Sequence, residues 1–236
     1  MRQTAKLMSA ALLLMICGAA GSPAAWGKDT YWERRVTLFD KLPIFANDIV
    51  FLGNSITDGG EFAELFDMEN IKNRGIVSDV ISGVEKRLHQ VTKTPPKKIF
   101  LLIGINDVSH GLDARRIAEK YEHLVRRIRS EAPQTQLYVQ SVMPIDNSFR
   151  RYRNLLGREH VIPELNSLLK EISARNGAIY LDLWPALADP KTGSMKKGFT
   201  NDGLHLTGAG YRAWTDLIRP YVTDSPLPSS QTDSSK

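Results

Sequence analysis

The stretch Ile49-Val50-Phe51-Leu52-Gly53-Asn54-Ser55-Ile56-Thr57-Asp58-Gly59-Gly60 decides the fold. Four consecutive apolar, β-prone residues without alternation suit a strand covered on both faces. The polar, glycine-rich run behind them is a sharp turn, and Ser55 stands at the start of a helix directly after the buried strand. There a hydroxyl is exposed and backbone N–H groups can face an anion. A plain helix cap uses the same residues. The spacing is not that of the Gly-x-Ser-x-Gly elbow, because Thr57 occupies the position of its second glycine.

Similar apolar runs recur at Ile99-Phe100-Leu101-Leu102-Ile103, Leu137-Tyr138-Val139 and Ile179-Tyr180-Leu181, with a weaker one around Ile71. Helical stripes lie between them. Ile117, Tyr121, Leu124, Val125 and Ile128 follow a possible cap at Asp113, and Leu165, Leu168, Leu169 and Ile172 run from Pro163 to Asn176-Gly177. Val80, Val84, Leu88 and Val91 predict one further helix, and Tyr211, Trp214 and Ile218 a last one capped by Thr207. Strand and helix alternating without a linker or repeat predict one α/β domain, a parallel sheet between helical layers. Ligands of such sheets sit beyond the carboxyl ends of the strands.

Two more strand ends and one turn before the last helix therefore matter. Gly104-Ile105-Asn106-Asp107 offers a neutral amide that could donate to a developing oxyanion, although Asn-Asp is also ordinary turn chemistry. Gly75, in Asn73-Arg74-Gly75-Ile76, allows close backbone approach or simply a turn. Asp202-Gly203-Leu204-His205 precedes the last helix, and an Asp three residues before a His is weak evidence alone. His110 follows the Gly104 turn and is a candidate for lining a pocket, by the bias of strand-end loops toward function.

In order along the chain, these blocks resemble those of the SGNH (GDSL-type) hydrolases over residues 48–222. The Asn-x-Gly-Ile near Gly75 and the Leu-His-Leu-x-x-x-Gly-Tyr beginning at Leu204 are most similar to the platelet-activating-factor acetylhydrolase-like and lysophospholipase-like esterases. The resemblance implies a flavodoxin-like three-layer α/β/α sandwich and a serine ester hydrolase without metal or organic cofactor. It implies Ser55 as nucleophile, His205 as base, Asp202 as the residue orienting His205, and an oxyanion hole of the Ser55 and Gly75 N–H groups with the Asn106 amide. Asn54 and Asp58 join His110 as candidates for the pocket wall. Two positions depart from the family pattern: Asn54 stands where Asp is usual, and Val77 and Ser78 follow Gly75 where more glycine is common.

Composition narrows the alternatives. Of 236 residues, 42% are hydrophobic and 24% charged, as in a globular domain able to bury a core without staples. The one cysteine, Cys17, lies in the N-terminal apolar run, which excludes disulfide scaffolds, zinc ribbons and cysteine nucleophiles from the rest of the chain. Residues 1–27 read as a secretory signal, with Arg2 and Lys6 ahead of an uncharged run and small residues at Ala25 and Gly27. An uncleaved anchor and a lipoprotein site at Cys17 are the alternatives, the second disfavoured by bulky Ile16. Residues 28–223 then form the hydrolase domain, and the Ser/Pro-rich residues 224–236 a disordered tail. Removing Arg2 and Lys6 lowers the formal charge from +5 to +3. The remaining basic residues are interleaved with acids on helical faces, which argues against nucleic acid as a partner.

The expectation is an exported esterase that removes small acyl groups, acetyl above all, from small esters or acetylated glycans, with no stable membrane insertion of the mature chain. A lysophospholipase or thioesterase would use the same residues, and a catalytically silent glycan-binding domain is the reading from another class. A nucleotide or flavin binder lacks its glycine fingerprint after the first strand.

Overall fold

The computed structural model describes residues 23–226. The apolar run with Cys17 and most of the Ser/Pro-rich tail lie outside the described residues. The chain runs α1 (Pro23–Phe39), β1 (Ile49–Gly53), α2 (Ser55–Asp58), α3 (Phe62–Phe66), β2 (Ile71–Gly75), α4 (Ile81–Lys86), α5 (His89–Thr92) and β3 (Lys98–Leu102). It continues through α6 (Ile105–Ser109), α7 (Ala114–Glu131), β4 (Gln136–Gln140), two 3₁₀ turns at 147–149 and 153–155, α8 (Val161–Arg175), β5 (Ile179–Leu181), α9 (Trp184–Leu187) and α10 (Gly208–Thr223).

All five strands are parallel, in the order β2-β1-β3-β4-β5. This is a three-layer α/β sandwich of the flavodoxin-like order. Right-handed crossovers put α3 and α10 on one face and α4, α7 and α8 on the other. β1 and β3 are buried along their whole length, as unbroken apolarity demands. β5 is an edge strand, and Ile179 is exposed.

On the α3–α10 face, registered aromatics stack across the sheet. Phe51 lies 4.0 Å from Phe62 and 5.0 Å from Phe100, and Phe100 lies 4.5 Å from Tyr138. Buried Trp214 meets Phe62 edge-on and donates its indole N–H to Gln140. At the opposite end of the sheet, fully buried Lys98 closes the C-terminus of α10 by donating to the carbonyls of Tyr221 and Val222 and to Asp224. Asp224 therefore belongs to the folded domain and not to the tail.

The single helix expected over Val80–Val91 is two short ones. Gly83 weakens the first, and Arg87 ends it with φ −107°. The fully buried Arg87 side chain turns inward, to Asp79 at 2.8 Å and the Gly53 carbonyl at 3.1 Å. α1 is tied to the segments that follow β1 and β2. Tyr31 donates to Asp58 at 2.6 Å, Arg35 pairs with Asp58 at 3.1 Å, and Trp32 donates to Asp79 at 3.1 Å.

Candidate active site

The strand order reverses between β1 and β3, which opens a crevice at their carboxyl ends. Ser55 and Asn106 stand on its two sides, each in the first turn of a short helix. Asn54 caps α2, accepting the Ile56 N–H at 3.0 Å. That bond needs only a side-chain oxygen, so Asn serves where Asp is usual. As the first residue of α2, Ser55 has a backbone N–H with no intrahelical acceptor.

Ser55 Oγ is 2.9 Å from His205 Nε2, across 150 residues of sequence. His205 Nδ1 is 2.8 Å from Asp202 Oδ2. The other carboxylate oxygen, Oδ1, accepts the backbone N–H groups of Leu204 and His205 at 2.9 and 2.8 Å. Gly203 makes this turn possible. Its φ is +90°, and a Cβ there would lie 2.2 Å from the Asp146 carbonyl oxygen. Burial alone would raise the Asp202 carboxyl. The hydrogen bonds from His205, Leu204 and Tyr152 outweigh it and hold the group well below the usual carboxylate range.

Tyr152 was not singled out by sequence. Its hydroxyl donates to Asp202 Oδ2 at 2.7 Å and lies 2.9 Å from His205 Nδ1. Burial, then the bond to Asp202 and its charge, push the phenol up to about 12, so it stays a donor throughout the neutral range. With Tyr152 donating to Asp202, His205 Nδ1 keeps its own proton for the same oxygen. Nε2 is then free to accept from Ser55.

On the other wall the structure corrects one assignment. Gly75 is not at the crevice. Its N–H is taken by Asn73 Oδ1 at 2.8 Å, and a Cβ there would lie 2.1 Å from the Asp58 nitrogen. Gly75 is the glycine that lets β2 pack against the backbone of α2. The residue that does face the cavity is Ser78, held at φ +63°. Its backbone N–H meets no acceptor among the described residues. Asn106 spends one amide hydrogen on the Asp79 carbonyl at 2.8 Å, and its NH₂ has a second to offer.

Of the remaining candidates, Asn54 is 1% exposed and acts within its turn. Asp58 is occupied by Tyr31 and Arg35. Neither lines the cavity at Ser55. His110 lines an adjoining groove of about 300 Å³ with Trp32 and Lys86, and this groove shares Val77 and Ser78 with the site. The site itself is a cavity of about 550 Å³ lined by Ser55, Ser78, Asn106, Tyr152 and His205, with Arg151 and Arg153 on its rim and apolar Val77, Leu155 and Leu204 between. Among the described residues, no group of three or more His, Cys, Asp or Glu could hold a metal ion. Chemically, the arrangement pairs a hydroxyl with an oriented imidazole and sets three N–H donors opposite it.

The model of the GDSL-like lipase/acylhydrolase family matches residues 51–213. Among solved structures, a Streptococcus pneumonia protein named for platelet activating factor is 24% identical, with a TM-score of 0.77 over 84% of this chain and 96% of that one. A GDSL-like lipase from Bacteroides thetaiotaomicron is 20% identical, with a TM-score of 0.72 over 83% and 98%. An acetyl-xylooligosaccharide esterase from Geobacillus Stearmophilus, a mutant form, is 16% identical, with a TM-score of 0.60 over 80% and 98%. No curated protein sequence matches this chain significantly.

Proposed function

This chain belongs to the GDSL-like lipase/acylhydrolase family, and from that premise we propose that it is an exported serine esterase that removes small acyl groups, acetyl above all, from carbohydrate. The observation that carries the reading is the continuous chain from Ser55 Oγ through His205 to Asp202, with links of 2.9 and 2.8 Å on one cavity wall. In this reading His205 takes the Ser55 proton as Oγ attacks the ester carbonyl. The negative oxygen that forms is held by the N–H groups of Ser55 and Ser78 and by the Asn106 amide. His205 then protonates the leaving alcohol, and water attacks the acyl-enzyme by the same route in reverse. Asp202 stabilises the imidazolium and, with Tyr152, fixes its tautomer.

The preference for a short acyl group is supported by the sparse apolar lining, three side chains in an open cavity. The carbohydrate assignment is supported by the fold's occurrence in an acetyl-xylooligosaccharide esterase. Export is supported by the character of residues 1–27. Cleavage after Gly27 would leave Tyr31, Trp32 and Arg35, and so their bonds to Asp58 and Asp79, on the mature chain. Among the described residues, no helix is long and apolar enough to cross a membrane.

The test is a panel of acetyl, butyryl and octanoyl nitrophenyl esters, followed by acetylated xylan and a lysophospholipid. The expected result is the highest kcat/KM for acetyl and release of acetate from the glycan. A higher kcat/KM for octanoyl, or turnover of the lysophospholipid alone, would replace this substrate with a lipid.

A further inference from the structure

We propose that the site takes esters whose alcohol part carries a negative charge, a carboxylate or phosphate, bound by Arg151 and Arg153 at the cavity rim. The inference rests on the esterase reading and names its substrate class. Both arginines belong to the segment that carries Tyr152 over His205, so they border the same cavity as the Ser55 hydroxyl. That segment is tied down. Asp146 N–H donates to the Gly203 carbonyl at 2.8 Å, Asn147 donates to the Leu155 carbonyl at 2.8 Å, and Leu155 is buried.

The charge at this rim is uncompensated. Among the described residues no carboxylate lines the cavity, and neither arginine is in an ion pair. Arg151 acts on the neighbouring Tyr152 hydroxyl, which is not an anion. Elsewhere Arg116, Arg126, Arg127 and Arg219 pair with Glu119, Glu122, Glu131 and Asp216, whereas exposed Arg115, Arg150 and Arg212 are in no ion pair among the described residues and border no part of this cavity. The acids nearest in sequence are committed. Asp146 caps the Ser148 N–H, and Glu159 accepts from Asn147. Asp202 lies under Tyr152, turned to His205.

Two unpaired guanidinium groups at the mouth of a concave site raise the local concentration of anions. Each presents a planar fork of donors that matches a carboxylate or phosphate through two parallel bonds. A neutral ester gains nothing from this arrangement.

The test compares the O-acetyl esters of three sugars: methyl galactoside, galacturonate and galactose 6-phosphate. Each is assayed at low salt and at high salt. The enzymes are the wild type and the variants Arg151→Gln, Arg153→Gln and the double, with 4-nitrophenyl acetate as a neutral reporter of esterase activity. The expected kcat/KM for at least one charged sugar exceeds that for the neutral one by about tenfold to a hundredfold, the range of a hydrogen bond to a charged group. The ratio should fall toward one in the double variant and with salt. The larger of the two charged arms identifies the anion. A ratio near one in the wild type, or a preference that survives the double substitution, overturns the proposal. Failure to turn over even 4-nitrophenyl acetate overturns the esterase reading instead. Calorimetric binding of free galacturonate against galactose then decides the charge question alone. Preference for galacturonate that is lost in the double variant supports it, and equal binding overturns it.

Discussion

Asn106 donates one amide hydrogen to the Asp79 carbonyl, and that bond orients the other. In the proposed reaction this neutral amide would gain little from a ground-state carbonyl and more from the charge that forms as Ser55 attacks. Asn106→Ala should therefore lower kcat by about 10²–10³ with KM little changed. Active-site titration beside a melting curve checks this. Normal kcat per titrated site would reduce Asn106 to a turn residue. Tyr152 acts one bond further back. In Tyr152→Phe, Asp202 Oδ2 loses a donor and keeps more of its negative charge, which stabilises the His205 imidazolium. Without the Tyr152 bond the Asp202 carboxyl should titrate closer to the usual carboxylate range, and an NMR titration of wild type and variant checks this, since loss of packing alone would leave it in place. These two residues differ in how they could be read. Asn106 follows a strand, where a polar residue stands out. Tyr152 reaches its partners from an irregular segment 50 residues before Asp202, and no periodicity marks it. Gly75 misled for a related reason. A glycine after a strand signals close approach without saying what approaches, and here it is the backbone of α2. The residue in the left-handed conformation facing the cavity is Ser78, a type that seldom adopts it.

At the scale of elements, the site rests on the linkage between α4, the end of β1 and α1. Burial pushes the Asp79 carboxyl up, and the Arg87 guanidinium opposes it. The same Asp79 receives Trp32 from α1 and, through its carbonyl, holds Asn106. Removing Arg87 leaves a buried carboxylate without its cation, and Arg87→Ala should cost about 3–5 kcal/mol. Denaturant unfolding measures this, and the double variant Asp79→Asn, Arg87→Leu should recover part of the loss. A loss under about 1 kcal/mol, the range of a surface pair, would mean that the ion pair does not support the site. This linkage also explains why one expected helix is two. The apolar spacing of Val80, Val84, Leu88 and Val91 is helical, and it contains no record that Arg87 must turn inward.

For the molecule as a whole, the central strands were legible because β1 and β3 are buried on both faces and so carry no polar alternation. The edge strand β5 has the same apolar letters but exposes Ile179, which composition alone does not distinguish. The caps at Asp113 and Thr207 were legible because a side-chain oxygen meets the N–H three residues on. Ser55 could be singled out because it follows a strand directly, and Asp202 and His205 because their spacing precedes the last helix. The rim arginines could not, since their meaning lies in missing partners, a property of the packed chain. In the proposed reaction Ser55 carries the acyl group. A fluorophosphonate probe followed by peptide mass spectrometry tests it most directly. A single adduct is expected on the Ser55 peptide, absent from Ser55→Ala, which should also lack esterase activity. An adduct on another residue, or full activity in Ser55→Ala, would contradict it.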